Sequence, residues 1–166
     1  KAPSGLEVRF KLFTVPGQVA HDGTRKAVLS RADGVVFVAD SQRAQSINNG
    51  ESFDNLAENA RRVGLDLDRL PLVVQFNKRD LPDILSEQEI ADRWGAAPWP
   101  VRLASALPGT GVRETFATLL EAVWHPLDAE FALASHHGFD TAAFIDAATG
   151  ESPWATRQKP SIAHTT

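Results

Sequence analysis

The chain of 166 residues has no cysteine, which excludes disulfides, thiolate metal centres and a cysteine nucleophile, and fits a reducing cytoplasm. Methionine is also absent. A complete translation product of this size normally starts with one and carries a few more, so a segment of a longer protein is expected. Long hydrophobic runs are missing. The longest, around Val35 to Ala39 and Leu70 to Phe76, fall far short of the ~20 residues of a membrane span. Neither a secretory leader nor a prenylation motif is visible, and no membrane insertion is expected. With a net charge of −4 there is no general electrostatic reason to bind nucleic acid or an anionic membrane surface. What remains, 43% hydrophobic and 23% charged residues, is the composition of one ordinary globular core.

Along the chain, periodicity alternates between strand and helix. Leu6, Val8, Phe10 and Leu12 alternate with Glu7, Arg9 and Lys11, which predicts a strand from Leu6 to Phe13 with one buried face, running into Pro16-Gly17. A short helix is expected around Thr24 to Ser30. Gly34 to Asp40, GVVFVAD, and Leu70 to Phe76, LPLVVQF, read as strands buried on both faces. Between them Phe53, Leu56, Ala57, Ala60 and Val63 recur at helical spacing, and Gly64 can end that helix in a left-handed conformation. Ser86 and Glu89 have capping-box spacing, so a helix should run from there to about Trp94. Val101 to Ala104 predicts a short strand. Val112, Phe116, Leu119, Leu120 and Val123 predict a last helix, with a weaker helical pattern from Phe131 to Phe144. Strands joined by helical crossovers imply an α/β fold with a parallel sheet covered on both faces.

Chemistry concentrates at strand ends. Asn77-Lys78-Arg79-Asp80 follows the buried strand directly, where open α/β sheets bind ligands. An Asp carboxylate there can accept two parallel hydrogen bonds from the N1 and exocyclic amine of guanine, a pattern adenine does not offer. The plain alternative is a polar turn closed by Leu81-Pro82. Ser105-Ala106 follows the next strand. Thr14-Val15-Pro16-Gly17-Gln18 follows the first, and reads equally as a tight turn. His136-His137 reads as a solvated pair rather than a metal site, because adjacent residues point apart. Arg61-Arg62 reads as a solvated helix end, and Trp94 and Trp124 as core anchors.

Asn77, Lys78 and Asp80 match the NKxD motif of small GTPases, Ser105-Ala106 is similar to the same family's base-contacting element, and Gly17-Gln18 to its switch motif. Thr-Val-Pro-Gly-Gln, the following His21-Asp22-Gly23-Thr24-Arg25-Lys26 and GVVFVADSQ together resemble the bacterial MglA-type GTPases of polarity and gliding motility, over about Leu6 to Trp124. The resemblance implies a P-loop-NTPase-like fold and a switch that binds GTP or GDP with Mg²⁺ and hydrolyses GTP. It puts Asp80 on the guanine edge, Asn77 bracing the loop, the Lys78 stem over the ring, and the amides at Ser105 and Ala106 near the guanine carbonyl. It has the Gly17 amide meet the γ-phosphate and makes Gln18 the catalytic residue that orients water. Thr14 stands where the family pattern has an Asp, so a carboxylate of the Mg²⁺ shell is not expected here.

No G-x-x-x-x-G-K-S/T phosphate cradle occurs in these residues. The expectation is a small GTPase domain over residues 1–125 whose first strand and P-loop precede Lys1, with residues 126–166 a partly disordered extension. The family's strand order then leaves a slot between the strand ending at Phe13 and Gly34 to Asp40. No metal ligand is expected within the chain. The resemblance also implies a dimeric roadblock-type activator and effector proteins as partners. The main rival is a GTPase-like interaction module that binds no nucleotide. An unrelated α/β enzyme is disfavoured because neither a dinucleotide turn nor a nucleophile motif is present.

Overall fold

A computed structural model describes residue 2 and residues 4–15 and 22–150. The elements run α1 (Asp22–Leu29), β1 (Val35–Asp40), a 3₁₀ turn (Arg43–Gln45), α2 (Ser46–Arg62), β2 (Leu72–Asn77), α3 (Glu87–Trp94), β3 (Val101–Leu103), α4 (Val112–Phe131), α5 (Leu133–His137) and α6 (Thr141–Thr149). They divide into two compact units, Phe10–Val123 and Lys1–Arg9 with Trp124–Thr166.

In the larger unit the three strands are parallel, in the order β1-β2-β3. Because side chains alternate along a strand, each face draws its own set. Leu72, Val74 and Phe76 join Ala39, Leu56, Leu85 and Ile90 in a core cluster, with Val35, Phe37 and Phe53 packed against it. Phe53 meets Phe37, Trp94 and Trp99 at ring-centroid distances of 5.0, 4.9 and 5.0 Å, so α2, α3 and the sheet share one aromatic seam. On the opposite face α4 lies close: a Cβ on Gly34 would stand 2.7 Å from Val123 and 3.0 Å from Leu119. Arg102 Nε donates to Thr118 Oγ1 on the same side. The sheet is therefore covered on both faces, as expected.

Local signals explain the element ends. Ser86 Oγ accepts from the Glu89 amide while the Glu89 carboxylate accepts from the Ser86 amide, so the predicted capping box starts α3. At the end of α2, Gly64 (φ +79°) turns the chain and the Leu65 and Gly64 amides donate to the Ala60 and Arg61 carbonyls at 2.9 and 3.1 Å, a Schellman closure. Arg61 and Arg62 both bond Glu58 and lower its carboxyl to about 2.

Two expectations need correction. Leu6 to Phe13 forms no strand. Alternation supplies a face but not a ladder partner, and none pairs with it among the described residues; Leu12 and Phe13 are left 78% and 67% exposed. The helix predicted from Val112 to Val123 runs further, through Pro126 to Phe131. Leu127 and Phe131 extend the four-residue spacing from Val123, and the helix passes Pro126 without the hydrogen bond that its missing amide cannot make. In the smaller unit Trp124, Phe139 and Phe144 are buried and pack at centroid distances of 6.4, 5.2 and 5.7 Å.

Among the described residues no strand pairs with the outer edge of β1, and Val38 there is 54% exposed. A three-stranded sheet whose β1 edge is unpaired among the described residues gains little from cooperative pairing, and exposed Leu12 and Phe13 add no burial. The 166-residue chain is expected to unfold in urea with a midpoint below about 3 M; a sharp transition at high urea would contradict this.

Candidate functional site

Parallel register brings the strand ends together. Asp40 pairs with Asn77, and Phe76 with Leu103, so the loops leaving β1, β2 and β3 emerge side by side at the carboxyl edge of the sheet. The ladder continues into them: the Ser41 amide donates to the Asn77 carbonyl at 2.9 Å and the Arg79 amide to the Ala104 carbonyl at 3.1 Å.

The side chains then tie loop to loop. Asn77 Oδ1 accepts from the Ala106 amide at 2.9 Å, joining the two motifs that the sequence presents 29 residues apart. Ala106 is exposed while Ser105 is buried, its amide bonded to the Thr110 carbonyl at 2.9 Å. Lys78 adopts φ +64°, a conformation costing a non-glycine residue about 1 kcal/mol or more. Its Nζ reaches Asp40 Oδ2 at 2.6 Å. Asp80 is exposed, and its carboxylate makes no hydrogen bond or ion pair among the described residues. Arg79, by contrast, turns its guanidinium back onto the Leu85 carbonyl and braces the loop from beneath.

The β1 exit is braced from α3. Arg43 forms a forked pair with Glu89, with Nη2 to Oε2 at 2.7 Å, and Asp83 lies 3.5 Å from its Nε. The Arg43 hydrogen bond, followed by those from the Ser86 backbone and hydroxyl, lowers the Glu89 carboxyl to about 2. Being exposed, this pair fixes loop geometry more than it adds stability.

Five of the seven expected site residues, Asn77, Lys78, Asp80, Ser105 and Ala106, thus lie on two adjoining loops, with Ser105 buried and Asp80 exposed. Gly17 and Gln18 lie outside the described residues. The Ala106 amide, which the resemblance puts near a guanine carbonyl, donates to Asn77 Oδ1 here. Sequence reasoning assigned no role to Asp40 or Asn49. Their signal was position, Asp40 closing an apolar strand with a charge and Asn49 lying one helical turn into α2. Among the described residues no group of three or more His, Cys, Asp or Glu is arranged to hold a metal ion, and no helix is long and apolar enough to cross a membrane.

A parallel sheet covered on both faces, with Asn-Lys-x-Asp and Ser-Ala loops joined at its carboxyl edge, is a Ras-like small-GTPase fold. The chain belongs to the ADP-ribosylation factor family, whose sequence profile matches residues 4–123. Among characterised proteins it is 43% identical over 119 residues to the mutual gliding-motility protein MglA of Myxococcus xanthus, covering 72% of this chain and 61% of that protein. It is 25% identical over 119 residues to ADP-ribosylation factor-like protein 3 of Chlamydomonas reinhardtii, covering 68% of this chain and 64% of that one. The chain therefore spans less than two thirds of the length of each.

Gly111 holds the second loop in place. Its φ is +75°, and an added Cβ would lie 2.1 Å from the Leu103 carbonyl oxygen and 2.9 Å from Ala104 Cα, all backbone that cannot yield. Gly111→Ala is expected to destabilise the chain by about 2 kcal/mol or more and to speed hydrogen exchange at the Ser105 and Ala106 amides. Unchanged stability and exchange would show that this loop is not held as described.

Proposed function

We propose that residues Asn77 to Asp80 and Ser105-Ala106 form the guanine-recognising part of a GTP-binding molecular switch that hydrolyses GTP. The observation that carries this reading is the Asn77–Ala106 hydrogen bond, which fixes two loops against each other and leaves the Asp80 carboxylate exposed beside them. A carboxylate so presented can accept from two adjacent N–H groups, as guanine offers and adenine does not. The Lys78 stem, its charge held aside by Asp40, offers an apolar strip for the ring face.

The similarity to a gliding-motility protein supports a role in cell polarity or motility, with an activating dimer of roadblock type and effectors as partners and a cytoplasmic location. Gln18 is the residue we assign to orienting the attacking water, and Gly17 to sensing the γ-phosphate. No G-x-x-x-x-G-K-S/T motif occurs in the 166 residues, so beyond Gly17 no phosphate or Mg²⁺ contact is assigned to them. Residues 1–125 are the proposed GTPase domain and 126–166 an extension of it.

The test is competition between GDP and ADP for the protein expressed from its full coding sequence. The unsubstituted protein should prefer GDP strongly. Asp80→Ala, at an exposed position, should leave stability within about 0.5 kcal/mol and cut that preference by roughly a hundredfold or more. Equal competition by ADP in the unsubstituted protein refutes guanine recognition, and no binding of either nucleotide favours the interaction module.

A further inference from the structure

We infer that Asp40 is a positioning residue: its carboxylate anchors the Lys78 ammonium so that the lysine stem is held ready over the base before any nucleotide arrives. The inference rests on the guanine-binding reading and adds to it a residue from the neighbouring strand.

Four contacts fix Asp40. Its amide donates to Asn49 Oδ1 at 3.0 Å and its carbonyl accepts from Asn49 Nδ2 at 2.8 Å, so one side chain from α2 grips both backbone groups where no strand does among the described residues. Oδ1 accepts from the Gln42 amide at 2.9 Å, which sets the carboxylate's rotation. Oδ2 then faces Lys78 Nζ at 2.6 Å. The carboxylate is 18% exposed and the lysine side chain 50% exposed, so the anchor is sheltered while the stem stays open to a ligand.

A free lysine on a turn samples many rotamers, and ordering it on binding costs most of that freedom. Here the ordering is done in advance. The left-handed backbone at Lys78 serves the same end, because register places Asp40 opposite Asn77 and the next residue must turn back to reach it. Asp40 touches no nucleotide in this scheme and acts only through Lys78.

The first test needs no nucleotide. With limiting acetic anhydride and site-by-site mass spectrometry on the 166-residue chain, Lys78 should acylate more slowly than exposed Lys11. Asp40→Asn keeps an acceptor for the Gln42 amide but removes the charge, and should raise the Lys78 rate about threefold or more. Asp40→Glu should recover part of the protection. A Lys78 rate unmoved by Asp40→Asn, or Glu performing no better than Asn, overturns the anchor.

The second test measures GDP affinity in the protein from its full coding sequence, with Asp40→Asn, Lys78→Ala and both together. Asp40→Asn alone should weaken binding about tenfold, and the double variant should bind no worse than Lys78→Ala. Losses that multiply in the double variant mean Asp40 acts independently of Lys78 and overturn the positioning role. If the unsubstituted protein binds no GDP while Lys78 stays protected by Asp40, the guanine reading fails and takes the positioning role with it; binding with multiplying losses leaves that reading intact.

Discussion

The constraint on which the structure depends is the burial of β2 on both faces. Leu72 to Phe76 are all buried, and a strand so enclosed can meet solvent only at its ends. At its carboxyl end the chain changes from apolar to polar within one step, from Phe76 to Asn77. That polar end cannot slide: a one-residue slip would move Leu72, Val74 and Phe76 out of the shared core and reverse both faces at once. The register with β1 and β3 therefore fixes which loops lie beside Asn77, and through them the candidate site.

From that fixed point the loops are held by single polar contacts. Asn77 reaches across to the β3 loop, Arg79 reaches back to Leu85, and Asp40 reaches across from β1 to Lys78. The first and third contacts cross to a neighbouring loop or strand, while the second closes the β2–α3 loop on itself. The Asp80 carboxylate stays exposed, with no hydrogen bond or ion pair among the described residues. In the proposed function this exposed carboxylate on a braced loop is the reader of the base.

Much of this was legible in the sequence because its signals are local. The apolar runs gave β1 and β2, Ser86 with Glu89 gave the start of α3, and Gly64 gave the end of α2. Convergence of Asn77 to Asp80 with Ser105-Ala106 also followed, since ends of adjacent parallel strands must meet. Other features were not legible. Leu6 to Phe13 has a strand's alternation, but pairing depends on a partner elsewhere and the described structure provides none. The α2 helix begins at Ser46, well before its apolar stripe, because Ile47 to Gly50 carry no core-facing periodicity and Ile47 is 76% exposed. Contacts such as Asn49 to Asp40 and Asn77 to Ala106 join residues through space and leave no spacing to read.

The most direct check on the central claim is guanosine titrated at millimolar concentration into the ¹⁵N-labelled 166-residue chain, with adenosine as control, because it isolates the base from any phosphate contribution. The account predicts amide shifts confined to residues 77–80 and 105–107 with guanosine and none there with adenosine. Equal shifts with both nucleosides, or guanosine shifts centred elsewhere, would contradict it.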